Sequence, residues 1–182
     1  MDRQPVLEGE RLLLRPLRAD DWDALYNVAS DPLVWQQHPA NDRWHEPVFR
    51  AYFADALAQG GALIAIDQAS GAVIGSSRMQ AYDPADGGSV EIGWTFLARS
   101  HWGGDTNREM KRLMLDHALK YVERVDFWVG ENNLRSRRAM EKIGGRLSER
   151  DGGVVATASG PARHVVYEIT REGFADGPLM RG

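Results

Sequence analysis

The chain has no cysteine, which excludes disulfides, thiolate metal ligands and a cysteine nucleophile together. It also has no apolar run approaching the roughly 20 residues of a membrane-spanning helix. Its opening stretch, MDRQPVLEGERLLLRPLRAD, holds only a short leucine run and no small-residue cleavage signature. No signal peptide is therefore expected, and the cytoplasm is the default compartment. Basic charge is not in excess either: 22 Lys and Arg face 26 Asp and Glu, a net charge of −4. The signs are interleaved, so the basic footprint of a nucleic-acid binder is missing. Neither a Gly-x-x-x-x-Gly-Lys-Ser/Thr loop nor a Gly-x-Gly-x-x-Gly turn after a first strand occurs, which argues against nucleotide binding. With no internal repeat and no long linker, residues 1–182 are expected to form one domain, large enough to bury about 70% of its unfolded surface without staples.

What is present is an ordinary globular composition, 43% apolar and 26% charged, arranged in readable periods. The apolar run from Arg11 to Leu17 predicts a strand. ADDWDALYNVAS predicts a helix capped by Asp20 or Asp21, with Trp22, Leu25, Tyr26 and Ala29 at helical spacing. From Asp31 to Trp44 two prolines and the absence of a clean period predict a loop rich in aromatic and polar groups, with room for a short helical turn. A helix is expected from Glu46 to Ala58, ended by Gly60 and Gly61. ALIAID and AVIGSSRMQAY, separated by QASG, carry a hairpin signal, and SVEIGWTFL adds a third strand. Near the C-terminus RLSERD and ARHVVYEIT flank GGVVATASGP, which predicts a long hairpin with a Gly- and Ser-rich loop, while the tail EGFADGPLMRG has no period. Antiparallel strands followed by a crossover predict a mixed sheet with helices on both faces.

Chemistry concentrates between Ser89 and Gly145. Strand alternation puts Val90, Ile92, Trp94 and Phe96 on one face and Glu91 on the other. A carboxylate in so apolar a strand needs water or a partner; an exposed position or an arginine ion pair is the plain reading. In HWGGDTNREM, Thr106 and Glu109 have capping-box spacing, and amides from Gly103 to Arg108 would surround the positive end of a helix dipole. Gly103 and Gly104 remove the Cβ atoms that would block close approach, and Arg108 and Lys111 would add charge for a diphosphate. Met110, Leu113, Met114, His117, Ala118 and Tyr121 form one packing stripe. His117 reads as a core residue with no second histidine at ligand spacing on that helix, so no metal site is expected. Asn133 and Ser136 open the last helix, where both residue types are favoured as caps, and Gly144 or Gly145 closes it.

In order and spacing these residues resemble the GNAT superfamily of acetyl-CoA-dependent N-acetyltransferases, and within it the Rim-type branch named for ribosomal-protein N-terminal acetyltransferases. The likeness runs from ERLLLRPLRADDWDAL through EIGWTFLARSHWGG and ENNLRSRRAMEKIGG to HVVYEIT. It implies an α/β (α+β) fold with a mixed, mostly antiparallel sheet of about six or seven strands between two helical layers. It implies acetyl-CoA as co-substrate, with main-chain groups of Trp94, Thr95, Phe96 and Leu97 on the pantetheine arm. The turn Trp102, Gly103, Gly104, Asp105, Thr106, Asn107, with Arg108, would hold the diphosphate. Asn133 would bond near the pantetheine end, Glu91 would remove the amine proton, commonly through a water, and Ser136 would lie by the sulfur and hydrogen-bond the leaving thiolate. An ammonium must lose a proton before it attacks, and a tetrahedral oxyanion needs a donor, here a backbone amide near Phe96. With no cysteine and no evident Ser-His pair, direct transfer in a ternary complex is expected over an acetyl-enzyme.

Two departures stand out. Asp105 replaces a loop glycine and brings negative charge to a phosphate site, and Met140 stands where many relatives carry a tyrosine acid, so Ser136, water or free thiolate release must substitute. The acceptor is expected to be a primary amine, either a protein N-terminus or a small molecule. Its pocket would lie between the Trp35–Trp44 loop and the Gly152–Arg163 hairpin, with Trp35, His38, Trp44 and His164 as lining residues. A non-catalytic acyl-CoA or ligand-binding protein on the same fold is the alternative from another class. No nucleic-acid or membrane partner is expected; relatives are commonly dimeric, and a homodimer paired through sheet ends is compatible with the sequence.

Overall fold

Leucines at alternate positions, Leu12 and Leu14, each 1% exposed, seat the second strand on the core. It joins a sheet whose length is decided by pairing far along the chain. The computed structural model describes residues 1–181. Its strands are β1 (Leu7–Glu8), β2 (Leu12–Pro16), β3 (Ala62–Asp67), β4 (Val73–Asp83), β5 (Ser89–Leu97), β6 (Arg124–Gly130), β7 (Arg146–Thr157) and β8 (Gly160–Thr170). They form one sheet in the order β1-β2-β3-β4-β5-β6-β8-β7, every neighbouring pair antiparallel except β5 and β6. Eight strands exceed the six or seven expected because the two-residue β1 gives no periodic signal of its own.

The helices are α1 (Trp22–Ala29), α2 (Pro32–Trp35), α3 (Glu46–Gln59), α4 (Thr106–Ala118), α5 (Leu134–Lys142) and α6 (Arg171–Ala175). Buried residues of α1, α2 and α3 pack with Ile64 and Phe96 on one sheet face. Those of α4, α5 and α6 pack with Ile92, Val125 and Phe127 on the other. The first helix is preceded by a 3-10 turn, Ala19–Asp21. Asp21 does not cap it by a side-chain bond; its carboxylate is held by Arg15 at 2.7 Å and by the Arg18 amide at 2.8 Å. None of the described helices is long and apolar enough to cross a membrane.

Two sequence expectations fail for tertiary reasons. GGVVATASGP is mostly strand, with β7 running to Thr157 and β8 starting at Gly160, so the long loop becomes a tight turn. The tail folds as α6, started by Thr170, whose hydroxyl accepts from the Gly173 amide at 3.1 Å; Gly182 lies outside the described residues. The stripe of α4 also ends earlier than its period suggests. The helix stops at Ala118, Tyr121 is 53% exposed, and His117 bonds the Asp2 carbonyl near the surface.

Candidate active site

The strand register breaks where the site begins. Along β4 and β5, Arg78 faces Gly93 and Ser76 faces Phe96, so β5 carries one extra residue, which is a β-bulge. Trp94 occupies it with φ +56°, a left-handed conformation that costs a non-glycine residue roughly 1–2 kcal/mol. The Tyr52 hydroxyl donates to the Trp94 carbonyl at 3.3 Å, and the two rings lie 5.7 Å apart. The bulge corrects the simple alternation: Val90 and Ile92 face the core beneath α4, whereas Phe96 faces the aromatic core beneath α3.

Beside the bulge the sheet splits. Parallel pairing of β5 with β6 runs through Ser89–Arg124, Val90–Val125 and Glu91–Asp126 and then stops, while β6 stays paired to β8 through Gly130. Main-chain groups on the two facing edges are thus left without strand partners. The gap opens into a cavity of about 940 Å³, lined by Ile92 to Leu97 of β5, Phe127 to Gly130 of β6, the Trp102 to Asp105 turn with Asn107 and Arg108, and Asn133 to Ser136 of α5.

At the cavity mouth, Gly103 has φ +75°, and a Cβ on Gly103 or Gly104 would meet nothing within 4 Å. The turn therefore leaves open backbone at the positive end of α4, a fit for an anionic group. Its capping differs from the expected box. Thr106 is the first helical residue, Asp105 is the N-cap, and Thr106 does not line the cavity. The Glu109 carboxylate accepts instead from the Arg11 and Leu12 amides at 3.0 and 3.4 Å. Asp105 meets Arg11 at 3.3 Å with both side chains exposed, so the pair offsets only part of its charge in solvent. Arg108 bonds the Pro178 carbonyl. Trp102 donates to the Leu97 carbonyl at 2.9 Å, and the Arg135 guanidinium stacks 3.9 Å from its ring.

On the sheet face toward α3, Glu91 accepts from Gln80 at 2.9 Å. Burial raises its pKa; the Gln80 bond opposes that rise, and the nearby Asp126 charge adds to it. A Cβ on Gly93 would come within 2.7 Å of Glu91 Oε1, so the glycine keeps the carboxyl seated beside a cavity-lining residue. On α5, Asn133 is 4% exposed and its Oδ1 accepts from the Ser136 amide at 3.1 Å. The cap reading of this pair therefore holds, with the Asn133 amide nitrogen left over.

Residues 11–146 match the family model described as acetyltransferase (GNAT) domain. The chain belongs to the GNAT acetyltransferase family. Its structure is similar to a putative acetyltransferase from T. thermophilus, at 28% identity and TM-score 0.75 over 97% of this chain and 94% of that one. In fold alone it is similar to Mycobacterium smegmatis RimJ in complex with CoA-disulfide, at 20% identity and TM-score 0.70 over 93% and 87% of the two chains. The same holds for spermidine N-acetyltransferase from Vibrio cholerae in complex with CoA and spermine, at 14% identity and TM-score 0.68 over 91% and 99%.

Of the acceptor residues expected on this GNAT domain, Trp35, His38 and His164 line the cavity. Trp44 does not: its ring lies 3.6 Å from that of His45 at a 30° tilt, and its carbonyl accepts from Tyr26. Burial, with the Arg43 charge behind it, lowers the His38 pKa to about 3; burial also lowers that of His164. Both rings are neutral near pH 7. The Ser159 hydroxyl at the β7–β8 turn bonds Asn41 at 2.7 Å, tying the hairpin tip to the loop before α3. Sequence reasoning did not single out Gln80, or Arg43, whose guanidinium lies 4.7 Å from the Trp94 ring and 5.1 Å from Tyr52. Nor did it see that Lys111 is buried. A lysine inside the apolar row Met110, Met114, Leu115, Ala118 was the available signal. Among the described residues no group of His, Asp and Glu is arranged to hold a metal ion.

Proposed function

We propose that this GNAT domain moves an acetyl group from acetyl-CoA to a primary amine by direct attack in a ternary complex, as a Rim-type enzyme would. The observation that carries this reading is the split between β5 and β6 beside the Trp94 bulge, with an open Gly103–Gly104 turn at one end and Glu91 at the last paired position before the split, just outside the cavity lining. An extended pantetheine arm, rich in amides, matches the unpaired strand edges, and the α4 N-terminus with Arg108 matches a diphosphate. Asn133 Nδ2 and the amides from Trp94 to Leu97 would bond the arm.

In this reading the acceptor enters between the Trp35–Trp44 loop and the β7–β8 hairpin. Glu91, its pKa raised by burial, draws a proton from the ammonium, directly or through water. The freed nitrogen attacks the thioester carbon, and an amide near Phe96 stabilises the oxyanion. An amino-terminal peptide or a polyamine both satisfy this chemistry.

The test is Glu91→Gln, followed by calorimetric titration with acetyl-CoA and by an amine screen. Cofactor affinity should be kept while turnover falls by about 100-fold or more, the usual contribution of a general base. Wild-type activity should fall on the acid side at a pH above the ordinary carboxylate range. Full activity in the Glu91→Gln protein would remove Glu91 from the chemistry, and no binding of acetyl-CoA would end the transferase reading.

A further inference from the structure

Lys111, expected from the sequence to add charge for a diphosphate, is instead a buried charge bonded to Thr95, and the proposed function gives it no task. It rises from α4 at 2% exposure. Its Nζ donates to Thr95 Oγ1 at 2.7 Å and to Ser77 Oγ at 3.5 Å, and lies 5.5 Å from the centre of the Phe127 ring. Among the described residues no carboxylate pairs with it. Buried lysines are ordinarily paired or reach out to water; this one does neither, yet it lines the cavity where β5 leaves β6. An ammonium has three donors, so at least one is free to meet a group in the gap.

Its position is complementary to that of Glu91. Glu91 belongs to the face of the sheet that α3 covers, while Lys111 belongs to the opposite face with α5. A thioester lying in the split would have a base on the side from which the amine arrives and an ammonium on the other. Of the α5 residues lining the cavity, Ser136, Ala139 and Met140 carry no group acidic enough to release a proton at neutral pH, Arg135 and Arg138 are guanidiniums, which do not act as acids, and Lys142 is exposed rather than buried.

Resting on the acetyl-CoA reading above, we propose that Lys111 is the acid that protonates the departing CoA thiolate. The amine nitrogen, its proton taken toward Glu91, bonds to the carbonyl carbon. As the tetrahedral adduct collapses, the C–S bond breaks and its electron pair leaves on sulfur. One Nζ proton of the Lys111 ammonium moves to that sulfur, giving free thiol, and the neutral amine regains a proton from solvent. Burial lowers Lys111 to about 7, below a thiol's usual pKa of about 8.5, so the transfer runs downhill. Titratable groups lining the same cavity are Asp105 and Arg108 at the start of α4, Arg135, Arg138 and Lys142 on α5, His164 on β8, and His38 and His101 between elements of the sheet. None of them enters among the causes of the Lys111 shift, which is desolvation alone. Among the described residues its hydrogen-bond partners on β4 and β5 are Ser77 and Thr95, and the ring beside it on β6 is Phe127.

The experiment measures CoA release from acetyl-CoA with an alanyl peptide, spermidine and an amino-acid amide, using wild type, Lys111→Met, Lys111→Arg and Glu91→Gln. Melting curves certify that each variant is folded. On the fastest amine, Lys111→Met should lower kcat about 100-fold, the scale of general acid catalysis, with the dissociation constant for CoA within about 3-fold of wild type. Wild-type kcat should fall above pH ~7 as Lys111 loses its proton, and that limb should vanish in both lysine variants. Lys111→Arg keeps the charge but not the titratable proton, so it should not restore kcat. Weaker CoA binding with kcat retained, or rescue by arginine, would make Lys111 a binding contact and overturn the proposal while leaving the Glu91 result standing. No release from wild type with any amine would overturn both readings.

Discussion

Replacing Lys111 by Met should make the protein more stable at neutral and acidic pH, and the gain should shrink as pH rises. Folding takes the ammonium out of water without a counter-charge, and its pKa falls from 10.5 to about 7. At 1.36 kcal/mol per pH unit this sets a ceiling of about 5 kcal/mol on the cost of keeping it charged. Losing the Lys111–Thr95 bond returns about 1 kcal/mol; Thr95 keeps its bond with Ser77 Oγ at 2.8 Å. The net gain is then up to about 4 kcal/mol below pH 7, where folded and unfolded lysine are both protonated. Between about 7 and 10.5 the unfolded chain binds the extra proton, so wild-type stability climbs with pH. The Met variant has no such climb, and the difference closes. For a domain of this size each kcal/mol moves Tm by about 2–4 °C, so a rise of up to about 8–16 °C is expected at pH 6. Thermal melts of both proteins between pH 6 and 9 read it directly. A Met variant less stable than wild type at pH 6, or a gap that does not change with pH, would refute the reasoning. A stabilised but inactive variant would mean that the charge is kept for catalysis at the expense of stability.

Other outcomes follow from the same geometry. Asp105→Asn should tighten CoA binding about 2- to 5-fold at low salt, with the gain fading near 0.5 M as screening sets in; calorimetry at two ionic strengths checks it. Phe49→Ala should cost about 3–5 kcal/mol in urea unfolding. Phe49 is fully buried and touches the rings of Trp22, Tyr26, Tyr52 and Phe96. No loss would mean that the aromatic core beneath α3 does not hold this face of the sheet.

Much of the architecture acts over a few residues and can be read that way. The helical spacing of Trp22, Leu25 and Ala29, the Asn133–Ser136 cap, and the helix from Glu46 stopped at Gly60 all survive folding with small changes of boundary. So does the crossover unit from β5 to α5, because periodicity, caps and glycine turns are local chemistry. Those motifs carried the GNAT resemblance, and the absence of cysteine removed whole classes of chemistry before any contact was known.

The working details needed partners distant in sequence. Trp94 has no local reason to take a positive φ; β4 pairing on either side of it and the Tyr52 hydroxyl from α3 impose it, and that one residue moves Phe96 to the other core. Thr106 and Glu109 have the spacing of a capping box, yet the Glu109 carboxylate goes to amides at the start of β2, and Asp105 finds Arg11. Lys111 shows the limit most clearly. Its position in an apolar row was visible, but whether a lysine there reaches water, a carboxylate or a hydroxyl depends on what the sheet places opposite it. Local sequence sets the helices and turns because their hydrogen bonds close within a few residues, and it marks strands only by their alternation. Burial, register and charge pairing are properties of surfaces that meet only when the whole sheet has formed.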